Sequence, residues 1–153
     1  MSSAAPIDVD ALMRLCPVIP VLTIERLDDA APLALALVAG GLRVLEVTLR
    51  TPVAIEAIAR MAQAAPEAIV GAGTVLSPGD YDRAQAAGAR FIVSPGLTEP
   101  LIGAARASPL PFLPGVATAT EVMRGLDAGL TRFKFFPAET AGGAPARSPA
   151  GWR

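Results

Sequence analysis

Short runs of apolar, β-branched or aromatic residues alternate along the chain with longer stretches, rich in alanine and leucine, that carry charges at helical spacing. Six of the short runs predict strands, and they lie at Pro17 to Thr23, Arg43 to Leu49, Ala68 to Gly73, Arg90 to Pro95, Pro111 to Pro114 and Arg132 to Pro137. Each gap between them has room for one helix. This rhythm predicts an α/β fold whose parallel strands are joined by right-handed helical crossovers.

Glycines mark the ends of the predicted helices. The first helix is predicted from about Arg26 to Ala39, and it stops at Gly40-Gly41. Later helices stop in the same way at Gly88 and Gly129. A residue without Cβ suits this position because the backbone there often adopts a positive φ.

Polar and small residues gather where the predicted strands end. They are Glu46, Thr48, Arg50, Thr74, Ser94, Gly115 and Lys134. Barrel enzymes of the (β/α)8 type build their active sites from this end of the strands, although open doubly wound sheets also bind ligands there. The pattern favours a single (β/α) barrel domain over residues 1–153, of which six βα units can be recognised and the tail 144–153 shows neither strand nor helix periodicity.

Composition and charge exclude several classes of protein. The 13 basic and 14 acidic residues are scattered and give a net charge of −1, so electrostatic capture of nucleic acid or of a lipid surface is not expected. Although 52% of the residues are hydrophobic, the longest stretch without a charge, Ala107 to Thr120, is too short and too rich in proline to span a membrane. The first residues do not resemble a secretory signal. We therefore expect a soluble cytoplasmic protein.

The chain contains no histidine and one cysteine. Histidine-dependent triads and histidine-based zinc sites are excluded, so catalysis would depend on Lys, Glu, Asp, Tyr or backbone groups. Cys16 has no partner for an internal disulfide, and its apolar neighbours predict a buried thiol.

Lys134 is the one lysine of the chain, and it stands inside Phe133-Lys134-Phe135-Phe136-Pro137. Burial among aromatic rings disfavours an ammonium and lowers the pKa of a lysine. A neutral amine can attack a ketone, lose water and form an imine, which accepts electrons when the adjacent carbon-carbon bond breaks. The alternative is a lysine at a strand end whose ammonium reaches into water.

Period-2 alternation places Val44, Glu46, Thr48 and Arg50 on one face of the second strand. Two interpretations remain open for the charged members. Glu46 and Arg50 form a structural ion pair in the barrel mouth, or Glu46 is a general acid and base while Arg50 binds a carboxylate.

Three short glycine-containing segments follow the next strands. Gly71-Ala72-Gly73-Thr74 either lets a ligand approach the backbone beside a hydroxyl or forms a simple tight turn, and it lacks the ending of a P-loop. Ser94-Pro95-Gly96 and Pro114-Gly115 are predicted to be turns that line a site.

Taken together, the motifs resemble the 2-keto-3-deoxy-6-phosphogluconate (KDPG) aldolase family, which also cleaves 4-hydroxy-2-oxoglutarate. The residues that carry the resemblance lie, in order, at 40–50, 70–76, 94–98, 113–116 and 133–139, and the similarity covers about Leu15 to Gly143.

The resemblance implies a (β/α)8 barrel and a trimeric class I aldolase of the Entner-Doudoroff pathway. It would split the phosphorylated keto sugar acid into pyruvate and glyceraldehyde 3-phosphate, or 4-hydroxy-2-oxoglutarate into pyruvate and glyoxylate, without a metal or other cofactor. Lys134 would form the Schiff base and Glu46 would transfer protons. Arg50 and Thr74 would bind the pyruvyl carboxylate, whereas Phe136 and Pro95 would shape the pocket.

Relatives in that family continue through two more βα units, which supply the phosphate site. We therefore expect a chain that is truncated or altered after about Gly143. The alternative to an active aldolase is a catalytically impaired barrel fragment of the same family, with exposed strand edges and apolar faces.

Overall fold

The computed structural model describes residues 8–142 and contains six parallel strands whose order in the sheet follows their order in the chain. The strands are β1 (Val21–Leu22), β2 (Val44–Thr48), β3 (Ile69–Gly73), β4 (Ile92–Ser94), β5 (Phe112–Val116) and β6 (Lys134–Phe135). The helices are α1 (Val9–Leu15), α2 (Ala30–Ala39), α3 (Ala54–Ala64), α4 (Pro78–Ala86), α5 (Glu99–Ala107) and α6 (Ala119–Asp127). The predicted α/β fold with a parallel sheet is confirmed, and the tail 144–153 lies outside the described residues.

Strictly sequential strand order distinguishes this sheet from a doubly wound one, in which the order reverses at a switch point. The sheet also curls. This is shown by Lys134 of β6, whose side chain donates a hydrogen bond to Glu46 of β2 although β3, β4 and β5 lie between them. The result is a curved parallel sheet with its helices between successive strands.

Two predicted strand boundaries were wrong for reasons of backbone chemistry. β1 is confined to Val21–Leu22 because Pro17 and Pro20 have no N–H to donate, although the Pro20 carbonyl still accepts from the Glu46 amide at 3.0 Å. β5 continues through Pro114 and Gly115 to Val116, so the turn predicted at Pro114-Gly115 is instead strand.

Two features of the helices also differ from the prediction. The helix expected from Arg26 begins as a 3-10 turn at Leu27–Asp29 and becomes α-helical at Ala30. α1 was not predicted at all. It is capped by Asp8, whose carboxylate accepts from the Ala11 amide at 2.7 Å, and its Leu12 is buried.

Side chains of alternate strand residues divide between two cores. The outer core lies between the sheet and helices α2 to α5, and it includes Leu45, Val47, Val70 and Ile92. The inner core fills the concave side with Leu12, Cys16, Val44, Ile69, Phe91 and Val93. The predicted buried thiol is confirmed, since Cys16 is 3% exposed and donates to the Val18 carbonyl at 2.8 Å.

The predicted glycine stops are confirmed at Gly41, Gly88 and Gly129, which adopt φ values of +88°, +92° and +86° and are the second residues after the ends of α2, α4 and α6. Side chains that cap the helix starts accept from backbone amides of the first turn at Ser77, Thr98 and Thr118. None of the helices within residues 8–142 has the length and apolar character needed to cross a membrane.

Candidate active site

Lys134 and Glu46 meet on the concave side of the sheet. The Lys134 ammonium donates to Glu46, with Nζ 3.2 Å from Oε1 and 3.5 Å from Oε2. The Glu46 side chain is 6% exposed and that of Lys134 is 28% exposed. A nearly buried carboxylate needs a partner to offset its desolvation, and here the partner is an amine with a route to solvent.

One aromatic ring lies close to this amine. The Lys134 Nζ atom is 5.5 Å from the centre of the Phe136 ring. The Phe133 ring instead packs against Gly125 of α6, on the opposite face of β6. Alternation along the strand therefore separates the aromatic residues that the sequence placed together around Lys134.

Glu46 pairs with Lys134 and not with Arg50, so the structural ion pair considered for Glu46 and Arg50 is wrong for the residues that the structure describes. β2 ends at Thr48, and the alternation that would have placed Arg50 beside Glu46 ends with it. Arg50 is exposed, two residues beyond the carboxyl end of β2. It lies at the same edge of the sheet as Lys134 and is available to a ligand.

Thr74 directly follows β3 and has a φ of +57°. This left-handed conformation is unusual for a β-branched residue, and such outliers gather at binding sites. Pro95 follows β4 at the same edge and is half-buried. Arg50, Thr74, Pro95 and Phe136 therefore follow four different strands at one edge of the sheet, where the predicted site residues were expected.

Hydroxyl groups join β1 to β2 near the site. Thr48 Oγ1 donates to the Leu22 carbonyl at 3.1 Å and lies 3.0 Å from Thr23 Oγ1. Thr51 Oγ1 donates to the Ile24 carbonyl at 2.7 Å. Thr48 is fully buried, so its predicted inward position is explained by packing and hydrogen bonding between strands.

Inward-facing glycines make space for neighbouring side chains of the protein. The sequence had suggested that the glycines before Thr74 either admit a ligand or form a tight turn. A Cβ on Gly71 would meet the Phe91 ring, and one on Gly73 would meet the Glu46 side chain. A Cβ on Gly115 would meet the Pro95 carbonyl. The glycines of the GAGT segment thus admit neighbouring side chains of the protein itself, and only the period-2 alternation of β3 could have indicated this.

Glu121 is a further residue that sequence reasoning missed. Its Oε2 accepts from the Ala117 and Thr118 amides at 2.8 and 2.9 Å, in the loop that leads from β5 to α6. The Ala117 hydrogen bond, with that of the Thr118 hydroxyl, holds the pKa of Glu121 below its ordinary value. The spacing Thr118-x-x-Glu121 is a capping-box signature and could have identified it.

A separate cleft of about 540 Å³ lies at the amino end of the sheet, lined by residues that precede β5 and β6 and by the start of α1. It is on the side away from Lys134. Within residues 8–142 no group of three carboxylate or thiol side chains is arranged to hold a metal ion.

Comparison with known proteins identifies relatives of this arrangement. The family model for KDPG and KHG aldolase matches residues 9–149. A 2-dehydro-3-deoxy-phosphogluconate aldolase of Zymomonas mobilis is 62% identical over 139 residues, which are 91% of this chain and 66% of that protein. The chain thus spans about two thirds of the length of this curated relative.

Solved structures agree with the fold. The 2-keto-3-deoxy-6-phosphogluconate aldolase of Zymomonas mobilis, with 3-phosphoglycerate, superposes with a TM-score of 0.88 at 61% identity, over 93% of this chain and 68% of that one. KDPG aldolase of Legionella pneumophila, in which pyruvate was captured as a covalent carbinolamine, has a TM-score of 0.85 at 53% identity, over 88% of this chain and 66% of that one.

Proposed function

Because the chain belongs to the KDPG and KHG aldolase family, we propose that it acts as a class I aldolase that cleaves 2-keto-3-deoxy-6-phosphogluconate into pyruvate and glyceraldehyde 3-phosphate. A second substrate in this proposal is 4-hydroxy-2-oxoglutarate, cleaved into pyruvate and glyoxylate. The observation that supports it best is the amine of Lys134 lying 3.2 Å from the carboxylate of Glu46.

The pair supplies the parts that an imine mechanism needs. Glu46 takes a proton from the Lys134 ammonium, and the neutral amine attacks the substrate ketone to give a carbinolamine. Return of a proton to the carbinolamine hydroxyl releases water and leaves an iminium. Glu46 then accepts the proton of the C4 hydroxyl, the C3–C4 electron pair moves into the iminium, and the aldehyde departs.

Glu46 returns that proton to C3 of the remaining enamine, and hydrolysis of the resulting iminium releases pyruvate and restores the amine. The capture of pyruvate as a carbinolamine in the Legionella pneumophila relative supports this route. Burial of Glu46 supports it too, because a carboxylate shielded from water exchanges protons with its neighbour and not with bulk solvent.

We assign substrate binding to four residues at the carboxyl edge. Arg50, which is exposed, suits the pyruvyl carboxylate, since a planar guanidinium can donate two parallel hydrogen bonds. Thr74 would hold the same carboxylate from the end of β3, whereas Pro95 and Phe136 shape the pocket beside the reacting carbon. Their placement after β2, β3, β4 and β6 supports this assignment.

The proposal includes the larger architecture. We infer that the six strands belong to an eight-stranded (β/α)8 barrel, which their sequential order and the inward Lys134–Glu46 contact support. The homotrimer implied by the family resemblance and the cytoplasmic location expected from the sequence belong to the same proposal. Sedimentation equilibrium of the whole chain would test the trimer.

Trapping with borohydride tests the activity. Incubation with pyruvate and borohydride should give one reduced adduct, which peptide mass spectrometry assigns to Lys134. Lys134→Arg keeps the positive charge without a nucleophilic amine and should give no adduct at that peptide. An unmodified peptide from the folded parent protein would refute the proposed activity and favour the alternative of a catalytically impaired barrel fragment.

A further inference from the structure

We propose that Gly73 is a positioning residue for Glu46: the absence of a side chain on Gly73 keeps the Glu46 carboxylate within hydrogen-bond distance of the Lys134 amine. The inference rests on the proposed function for its chemical consequence. Its geometric basis is independent, because it comes from the contact between β3 and the Glu46 side chain. Gly73 of β3 pairs in register with Thr48 of β2, and Thr48 is the next inward-facing residue of β2 after Glu46.

The space beside Gly73 is filled by the functional part of Glu46. A methyl group on Gly73 would lie 2.7 Å from Cγ and 2.8 Å from Cδ of Glu46, and nearer still to Oε1. Carbon atoms that are not bonded prefer separations of about 3.5 to 4.0 Å, so both cannot stay in place. Oε1 is also the atom that accepts from Lys134 at 3.2 Å.

Glu46 can yield to a methyl group more easily than the backbone can. Its carboxylate is the far end of a flexible side chain, whereas both backbones are fixed in the ladder between β2 and β3. Because Cγ is one of the atoms in contact, relief requires rotation of the whole Glu46 side chain about its Cα–Cβ bond, which carries the carboxylate away from β3. An added methyl group should therefore weaken the Glu46–Lys134 hydrogen bond more than it lowers the stability of the fold.

Gly71 provides a matched control two residues earlier on the same face of β3. A methyl group there would overlap the Phe91 ring, which is buried at 2% exposure and packs in the inner core. Neither glycine has a φ in the left-handed region. Alanine is thus acceptable to the backbone at both positions, and the two substitutions differ in what the methyl group meets.

The experiment compares Gly73→Ala with Gly71→Ala, using the whole chain. Two readouts are followed: the free energy of unfolding, and the rate at which the methyl hydrogens of pyruvate exchange in D2O, which requires both the imine and a proton-transfer group. We expect Gly73→Ala to lower the exchange rate by roughly tenfold or more, since general acid-base groups contribute 10²–10⁴-fold. Gly71 is the in-register neighbour of Glu46, but its methyl group would meet Phe91 and not the carboxylate, so Gly71→Ala should destabilise the protein more and, per folded molecule, lower the exchange rate less than Gly73→Ala does.

A double variant decides whether Gly73 acts through Glu46. Added to Glu46→Gln, the Gly73→Ala change should lower the exchange rate little further, because the carboxylate that it displaces is already gone. A parent-like exchange rate in Gly73→Ala would overturn the inference. An undiminished further loss on top of Glu46→Gln would overturn it too.

Unfolding measurements separate this inference from the proposed function. If the parent protein exchanges no hydrogens and forms no adduct with pyruvate, the proposed activity fails. The contact between Gly73 and Glu46 is then tested by the free energy of unfolding alone. Gly73→Ala should destabilise the parent more than it destabilises Glu46→Ala, in which the methyl group has room. An equal loss in both backgrounds would refute the positioning role.

Discussion

Glu46 and Lys134 are separated by 88 positions in the chain, and the Lys134 amine donates to both carboxylate oxygens of Glu46. The carboxylate is nearly buried and the amine lies beside the Phe136 ring, so each charge offsets the hydration that the other has lost. Removing one member of such a pair leaves the other without compensation for its lost hydration. The same contact is the one through which the proposed proton transfers run.

Substitution of Glu46 by glutamine tests that dual role. Gln cannot accept the proton, so cleavage of 2-keto-3-deoxy-6-phosphogluconate should slow by about 10²–10⁴-fold, as measured by coupled detection of pyruvate. Glu99→Gln is a matched control, because Glu99 also accepts from a cation, Arg124 at 3.0 Å, but on the surface with 67% of its side chain exposed. A parent-like rate in Glu46→Gln would contradict the assignment.

The sequence identified these two residues but not their partnership. A solitary lysine among aromatic residues and a glutamate on an inward face are local signals, and both were confirmed to lie inside the curve of the sheet. The choice between Arg50 and Lys134 as partner of Glu46 depended on where β2 ends and on how far the sheet bends. The alternation of apolar and polar residues within one strand predicts neither the end of the strand nor the curvature of the sheet.

Strands were predicted best where the run contains no proline. β2 and β3 lie within the expected runs, and both are buried at every residue. β1 and β5 were misjudged, because proline shortened the one and was tolerated inside the other. α1 was missed, since seven residues with little apolar periodicity depend on tertiary contacts for their stability.

The capping box at the start of α6 makes a prediction about pH. The pKa of Glu121 is lowered in the folded protein, first by the Ala117 amide and then by Thr118. The stabilisation is therefore complete above the ordinary value of 4.5 and is lost as the pH falls through the lowered value. Glu121→Gln should remove part of the loss of stability below about pH 4.5, as measured by urea unfolding at several pH values.

Glu67→Gln controls for the loss of one negative charge, because Glu67 is exposed in the connection before β3. Identical pH profiles for the parent and Glu121→Gln would show that the box is not formed in solution. At neutral pH the same variant should lose less than about 1 kcal/mol, because the Gln amide oxygen can still accept from the Ala117 and Thr118 amides and Thr118 remains as the helix cap.

Two ion pairs connect the segment that contains β6 to the first part of the chain, one at each end of the strands. On the carboxyl side Lys134 reaches Glu46, and on the amino side Arg132 forms an ion pair with Asp10 of α1. α1 covers the amino end of the concave face, where Leu12 and Cys16 pack on Val44 and Phe91. The Lys134–Glu46 pair thus lies on the inner core, which forms an apolar floor on the concave side of the sheet.

Truncation of Leu12 tests whether this floor supports the fold. Leu12 is 3% exposed, so Leu12→Ala should lower the free energy of unfolding by about 2 to 5 kcal/mol. The neighbouring Met13 is 50% exposed, and Met13→Ala should change it by no more than about 0.5 kcal/mol. Equal effects in the two variants, measured by chemical denaturation, would mean that α1 does not close the inner core.

The solitary lysine gives experimenters a built-in spectroscopic reporter. Because Lys134 is the one lysine among 153 residues, feeding cells a lysine labelled at its side-chain nitrogen places the isotope at a single atom of the protein. Any magnetic resonance line from that label reports on the amine beside Glu46, and titration with keto acids can be followed there without assigning another residue.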